Sequence, residues 1–249
     1  MRNYFLLFIL MCSFTTFSQK TYQLSFVNES HRAFVKHPTT SFKDSISLIR
    51  YVRNLQSSAI DKGYLLASID DLSFSNRIAT LDFYLGEQFE DASVTMEQEE
   101  MSFVRKHSRL NERFISQLPC TPKALSAALK SIHKTYLDNG YPFARLEFED
   151  VLISGQKMSA GLKVDRGKLY VWEDIHVKGD STISENYISS LLGIKVGDVY
   201  DESLLGKIKN RIKQVAFMQE IKPHEILFTE TGAELYVYVK SNPVSSVNG

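Results

Sequence analysis

Histidine, cysteine and carboxylate side chains are the groups from which a catalytic or metal site would be drawn, and here their spacing is unhelpful to either. The six histidines (His31, His37, His107, His133, His176 and His224) are scattered. None falls into a His-x-x-x-His or Cys/His pattern that would converge two ligands on one ion. The stretch Gly161-Leu162-Lys163-Val164-Asp165-Arg166-Gly167-Lys168-Leu169 approaches a phosphate loop. It has one residue too many between its glycines, and Leu169 stands where a magnesium-holding hydroxyl is needed. No Gly-x-Ser-x-Gly elbow occurs. Asp70-Asp71 and the group Glu97, Glu99 and Glu100 read as solvated charges at a strand end and a helix start, since adjacent carboxylates in a strand point to opposite faces. The expectation is a protein that is not an enzyme and carries no cofactor and no metal.

A basic helix face remains as a binding candidate. Lys207, Lys209, Arg211 and Lys213 lie on the polar side of a helix whose other face holds Ile208, Ile212 and Val215. Lys207 and Arg211 are its candidate basic contact face, suited to lipid headgroups or an acidic partner. The single tryptophan, Trp172, falls at a joint between segments and reads as packing.

The elements that would position such groups are bounded by composition. Lysine plus arginine and aspartate plus glutamate each number 29 in 249 residues, so net charge is zero. That disfavours general nucleic-acid binding, which needs a basic surplus. Met1-Arg2-Asn3-Tyr4, the apolar run Phe5 to Cys12 and the small residues Thr16 and Ser18 read as an export signal over residues 1–18. The run is too short for a transmembrane helix. Cutting after Ser18 leaves Cys120 alone, in a quiet structural role.

Residues 19–249 number 231, three times 77, and an internal repeat follows that period. Leu48, Val52, Leu55 and Ala59 lead at helical spacing to Gly63-Tyr64. Leu125, Ala128, Leu129, Ile132 and Tyr136 lead to Gly140-Tyr141, and Leu204, Leu205, Ile208, Ile212 and Val215 lead to Ala216-Phe217. A glycine there suits a left-handed helix end, so the third helix must end differently. Alternating strands close each repeat, with Ala79, Leu81, Phe83 and Leu85, then Ala160, Leu162 and Val164, then Leu235, Val237 and Val239 turned inward. Ser184 is a plausible N-cap for a further helix in the third repeat. The grammar is β-α-α-β-β: an α+β chain of three small mixed three-stranded sheets, each covered by two helices. The units are expected at 19–87, 88–166 and 167–241, with 242–249 as a link. The first is least regular around His31 to Pro38.

These residues resemble tandem polypeptide-transport-associated (POTRA) domains of BamA/TamA-type outer-membrane assembly factors. Ile175-His176-Val177-Lys178-Gly179 is similar to the family's first strand. Leu192-Gly193-Ile194-Lys195-Val196-Gly197-Asp198-Val199-Tyr200 is similar to its central link. Leu137-Asp138-Asn139-Gly140-Tyr141-Pro142-Phe143-Ala144 is similar to a Gly-Tyr-x-x-Ala variant of Bacteroidetes-type members. The resemblance implies a periplasmic, outer-membrane-associated module that binds unfolded outer-membrane proteins or secreted polypeptides, with a lipoprotein or assembly-complex partner. It also implies a C-terminal barrel, for which Ser241 to Gly249 is too short. The chain is then expected to be a piece of a longer transporter or a free periplasmic protein.

The family places the second strand of each unit at a sheet edge, where a client strand could add by main-chain hydrogen bonds. The candidate is Phe143 to Glu149, with Phe143, Arg145, Glu147 and Glu149 as contact residues. The alternative is a spacer arm without client binding, hinged near Glu87–Gln88 and Arg166–Lys168.

Overall fold

The computed structural model describes residues 21–242; the expected export signal at 1–18 and most of the expected link at 242–249 lie outside them. The chain divides into two compact parts between Gly86 and Glu87. The first part holds one sheet and the second holds two, each sheet with its own helices.

In the first module, β1 (Tyr22–Phe26), β2 (Ser41–Phe42), β3 (Ser68–Ser75) and β4 (Ile78–Tyr84) are ordered β2-β1-β4-β3. Helix α1 (Ser45–Asp61) buries Leu48, Val52, Leu55 and Ala59 against Leu24, Ala79, Leu81 and Phe83. Asp44 caps it by accepting the Ser47 N–H at 2.7 Å, which holds its carboxyl below the usual range. Among the described residues of this module α1 is the one α-helix. The stretch expected to be irregular makes a short 3-10 turn, Ser30–Ala33, and Phe34 and Val35 pack on the core in place of a first helix. His31 is buried there, stacked on Phe26 at 3.8 Å with Nδ1 3.1 Å from the Asn28 carbonyl.

The second module comprises β5 (Asp91–Thr95), α2 (Gln98–His107), α3 (Glu112–Ser116), β6 (Gln117–Pro119), α4 (Pro122–Leu137), β7 (Arg145–Ser154) and β8 (Lys157–Asp165), with strand order β6-β5-β8-β7. The third comprises β9 (Trp172–Lys178), α5 (Glu185–Leu192), α6 (Glu202–Lys213), β10 (Met218–Phe228) and β11 (Ala233–Ser241), ordered β10-β11-β9. Ser184 caps α5 as expected, accepting the Tyr187 N–H. In all three sheets the first and last long strands pair in parallel. Parallel neighbours require a crossover, and the helices supply it.

Two sheets have four strands rather than the expected three. Short segments running past the first strand pair with it antiparallel, β2 on β1 and β6 on β5, each burying one side chain, Phe42 and Leu118. In the third module the same position makes only the bridge Val171–Val199, beside buried Tyr200.

The repeat is visible bond by bond. Tyr64 N–H donates to Ala59 O at 3.1 Å, and Tyr141 N–H to Tyr136 O at 3.0 Å; Ala67 N–H donates to Tyr64 O, and Ala144 N–H to Tyr141 O. Gly63 and Gly140 have φ of +94° and +93°. The third turn is shorter: only residues 214–217 separate α6 from β10, whereas 138–144 separate α4 from β7. Met218 N–H closes that turn on Val215 O without a left-handed glycine.

Candidate functional site

Strand β7 is the outermost strand of its sheet: one side of its main chain pairs with β8, and the other pairs with no strand among the described residues. The register with β8 is unbroken from Arg145 to Glu149. Over that run Arg145, Glu147 and Glu149 are exposed while Leu146 and Phe148 are half-buried, the period-two pattern of a strand with one covered face. Arg145 stands opposite Asp165 and Glu147 opposite Lys163, opposite charges that support the hairpin register. Asp150, at φ +51°, begins a bulge that ends the regular run.

The start of β7 is anchored to α4. His133 Nε2 donates to the Ala144 carbonyl at 2.7 Å; in the first module Gln56 Nε2 makes the same bond to Ala67, 77 residues earlier. Beyond that anchor, helix and strand stand apart and leave an open groove of about 760 Å³. Leu125, Leu129 and Leu146 line it, and Lys130, Arg145 and Glu147 stand at its rim. Such a place offers an extended peptide a main-chain ladder on one side and an apolar slot for alternate side chains on the other.

Of the candidate residues, Arg145, Glu147 and Glu149 lie on this edge strand. Phe143 precedes it and turns toward the third module, its ring 5.6 Å from Tyr170 and 4.8 Å from Phe228, although it stays 51% exposed. The basic pair is divided. Lys207 is exposed, whereas the Arg211 guanidinium donates to the Leu192 carbonyl at the C-terminal end of α5, where positive charge is favoured. Leu125 and Leu129 escaped the sequence reading because they share a helical stripe with the buried Ala128, Ile132 and Tyr136. The available signal was the stripe's width, one position more than a single packed face requires.

A second cluster sits where the second module meets the third. Arg166 follows β8 and runs back under α2, its Nε 3.0 Å from both oxygens of Glu100 and one terminal nitrogen 3.3 Å from Glu99. Its guanidinium lies 4.5 Å from the Phe103 ring centre and 5.7 Å from that of Tyr141. Burial opposes the charge, but the bonds and charge of Glu100 and Tyr141 outweigh it and raise the Arg166 pKa. Glu100 also accepts from the Tyr136 hydroxyl at 2.8 Å, and burial followed by that bond pushes Tyr136 far up. Glu100 is therefore not the solvated helix-start charge the sequence suggested. Around the expected hinge at Arg166–Lys168, Tyr170 N–H donates to Gly140 O at 2.8 Å, and Lys168 donates to the Glu230 carbonyl within the third module. The aromatic cluster continues from Phe143 through Tyr170 and Phe228 to Tyr200 and the buried Trp172.

Among the described residues no group of three or more His, Cys, Asp or Glu side chains is placed to hold a metal ion, and no helix is long and apolar enough to cross a membrane. Cys120 is a buried free thiol, its pKa raised by burial and then by Asp91.

Comparison with solved structures finds BamA POTRA3-5 from Haemophilus influenzae, with a TM-score of 0.47 and 14% identity over 88% of this chain and 96% of that one. POTRA1-3 of the periplasmic domain of Omp85 from Anabaena gives 0.32 and 10%, over 90% and 95%. CdiB from Acinetobacter baumannii gives 0.33 and 11%, over 63% of this chain and 31% of that one. No curated protein matches. The POTRA family, described as surface antigen variable number repeat, matches residues 170–222. That match runs from just before β9 to Lys222 in β10 of the third module, whose three-strand order recurs within the four-stranded sheets of the other two.

Proposed function

We propose that this chain is a periplasmic polypeptide-docking region of an outer-membrane protein assembly or translocation apparatus, and that its clients add as a strand to the outer edge of β7. Unfolded outer-membrane proteins or secreted polypeptides are the clients, and a periplasmic lipoprotein or another assembly component is a further partner. The modules act as units bounded near 87/88 and 166/167. The observation that carries the reading is the open main chain of Arg145 to Glu149 beside the Leu125–Leu129–Leu146 groove. Main-chain pairing gives affinity with little demand on sequence, and the groove asks only for apolar side chains at alternate positions.

The test is titration of the full chain with a synthetic peptide of alternating apolar and polar residues, followed by fluorescence anisotropy. L129E is expected to weaken binding by about tenfold, through a charge placed in an apolar slot. N-methylation of alternate peptide amides on the pairing side should abolish binding. Equal affinity of the methylated peptide would remove strand addition from the reading.

The Tyr170–Gly140 bond and the Phe143–Phe228 contact between the second and third modules favour a second reading, a spacer that sets the height of a partner above the membrane. Replacing the second module by an unrelated domain of equal span separates the two: a spacer keeps its function and a docking region loses it.

A further inference from the structure

The three modules share a strand order, but their sheet edges are not equivalent. In the third module β10 carries Pro223 at mid-strand, and proline has no N–H to offer a neighbour. The β10–β11 register breaks on both sides of Lys222, so regular pairing covers only Met218–Glu220 and Glu225–Phe228. Lys222 and Glu225 close over the interruption at 2.7 Å, and Tyr238 donates to Glu225 at 2.6 Å. The short 214–217 turn also brings α6 directly against β10, where α4 stands off β7 and leaves its groove. Charges, proline and bulges on an edge strand are the devices by which sheets avoid unwanted pairing.

The opposite edge of that sheet, β9, is occupied as well. Trp172 N–H donates to Asp198 O at 2.8 Å, and Trp172 O accepts from Gly197 N–H at 2.7 Å. Asp174 turns its carboxylate onto the Ile175 N–H at 2.7 Å. β3 and β7 also carry charges and one register shift each, but they contain no proline, and each keeps a regular run of five residues, Asp71–Ser75 and Arg145–Glu149, longer than either run on β10.

We infer that strand addition is confined to the first two modules, and that the third is closed at both sheet edges, with Pro223 and Asp174 the residues that close it. This rests on the docking reading above and assigns it to particular edges. The third module is then a fixed base for the second, joined through the Tyr170–Gly140 hydrogen bond and the contacts of Phe143 with Tyr170 and Phe228, and not another acceptor.

The experiment is residue-resolved amide hydrogen exchange on the full chain, with and without a saturating amount of the alternating peptide. Exchange is expected to slow by about fivefold or more on β7 or β3, and by less than about twofold across 172–178 and 218–228. Slowing of β9 or β10 amides would overturn the inference while leaving docking in place. No slowing anywhere would overturn docking, and the inference with it. In P223V/D174A, checked for an unchanged far-UV spectrum, peptide-dependent slowing should appear on β9 or β10. Its absence would remove these two residues from the role of closing the edges.

Discussion

A carboxylate that accepts several hydrogen bonds from one fold stabilises it only while ionised. Asp180, in the loop after β9, accepts from the Thr182 N–H at 2.9 Å and its hydroxyl at 2.6 Å, and from the Ser241 N–H at 2.9 Å and its hydroxyl. The Ser241 and Thr182 hydroxyl bonds, followed by the backbone N–H bonds, hold its carboxyl well below the ordinary 3.8. A depressed folded-state value means that the unfolded chain binds the proton first as pH falls. The stabilisation is complete above pH 3.8 and is lost progressively below it. D180A is therefore expected to melt below wild type at pH 7, and the gap should narrow as pH is lowered through 3.8. Thermal melts over a pH series check this; a gap that stays constant with pH would assign the effect to packing instead.

Among the elements, the α4–β7 turn serves two tasks with one residue. Gly140 adopts φ +93°, which side chains rarely take, and a Cβ there would collide with Leu169 Cδ1 and lie 2.7 Å from Val199 Cγ1. Gly155, in the β7–β8 hairpin, has φ +58° and nothing within 4 Å of its Cβ position. G155A should cost about 1 kcal/mol from backbone strain alone. G140A combines strain with overpacking and should cost about 2–4 kcal/mol. Urea unfolding of both variants measures the difference, and equal losses would show that the contact with the third module contributes little. The turn also sets Phe143 against the third module and Ala144 at the head of β7, so the joint and the docking edge share one short stretch of chain.

At the scale of the molecule, the second and third modules belong to one compact part, and Arg166, the last residue before the third module, is held within the second by Glu99, Glu100 and Phe103. Its side chain is only 19% exposed and its partner Glu100 12%. R166A leaves that carboxylate buried without its cation, which costs about 3 kcal/mol in comparable cases. Loss of the Arg166 side chain should also free the start of the segment that leads from β8 into the third module. Spin labels placed on exposed positions of α4 and α6 are expected to give a narrow distance distribution in wild type and a broader one in R166A. A distribution equally broad in wild type would return the segment to the hinge that its sequence suggested.

The sequence carried the period of 77, the inward residues of the strands and helices and the glycines that end α1 and α4. These are local properties, written in hydrophobic spacing and in the backbone freedom of single residues. It also carried the edge position of β7, through resemblance to a family of known strand order. It did not show the groove, because Leu125 and Leu129 obey the same periodicity as their buried neighbours, and only the distance between α4 and β7 decides which apolar residues are covered. It could not pair Glu100 with Arg166, 66 positions apart, or turn Arg211 from the solvent to the end of α5. Such partners are chosen by how elements pack. A charged residue reads as solvated until the fold brings its counterion and aromatic walls around it, and that is a property of the tertiary structure alone.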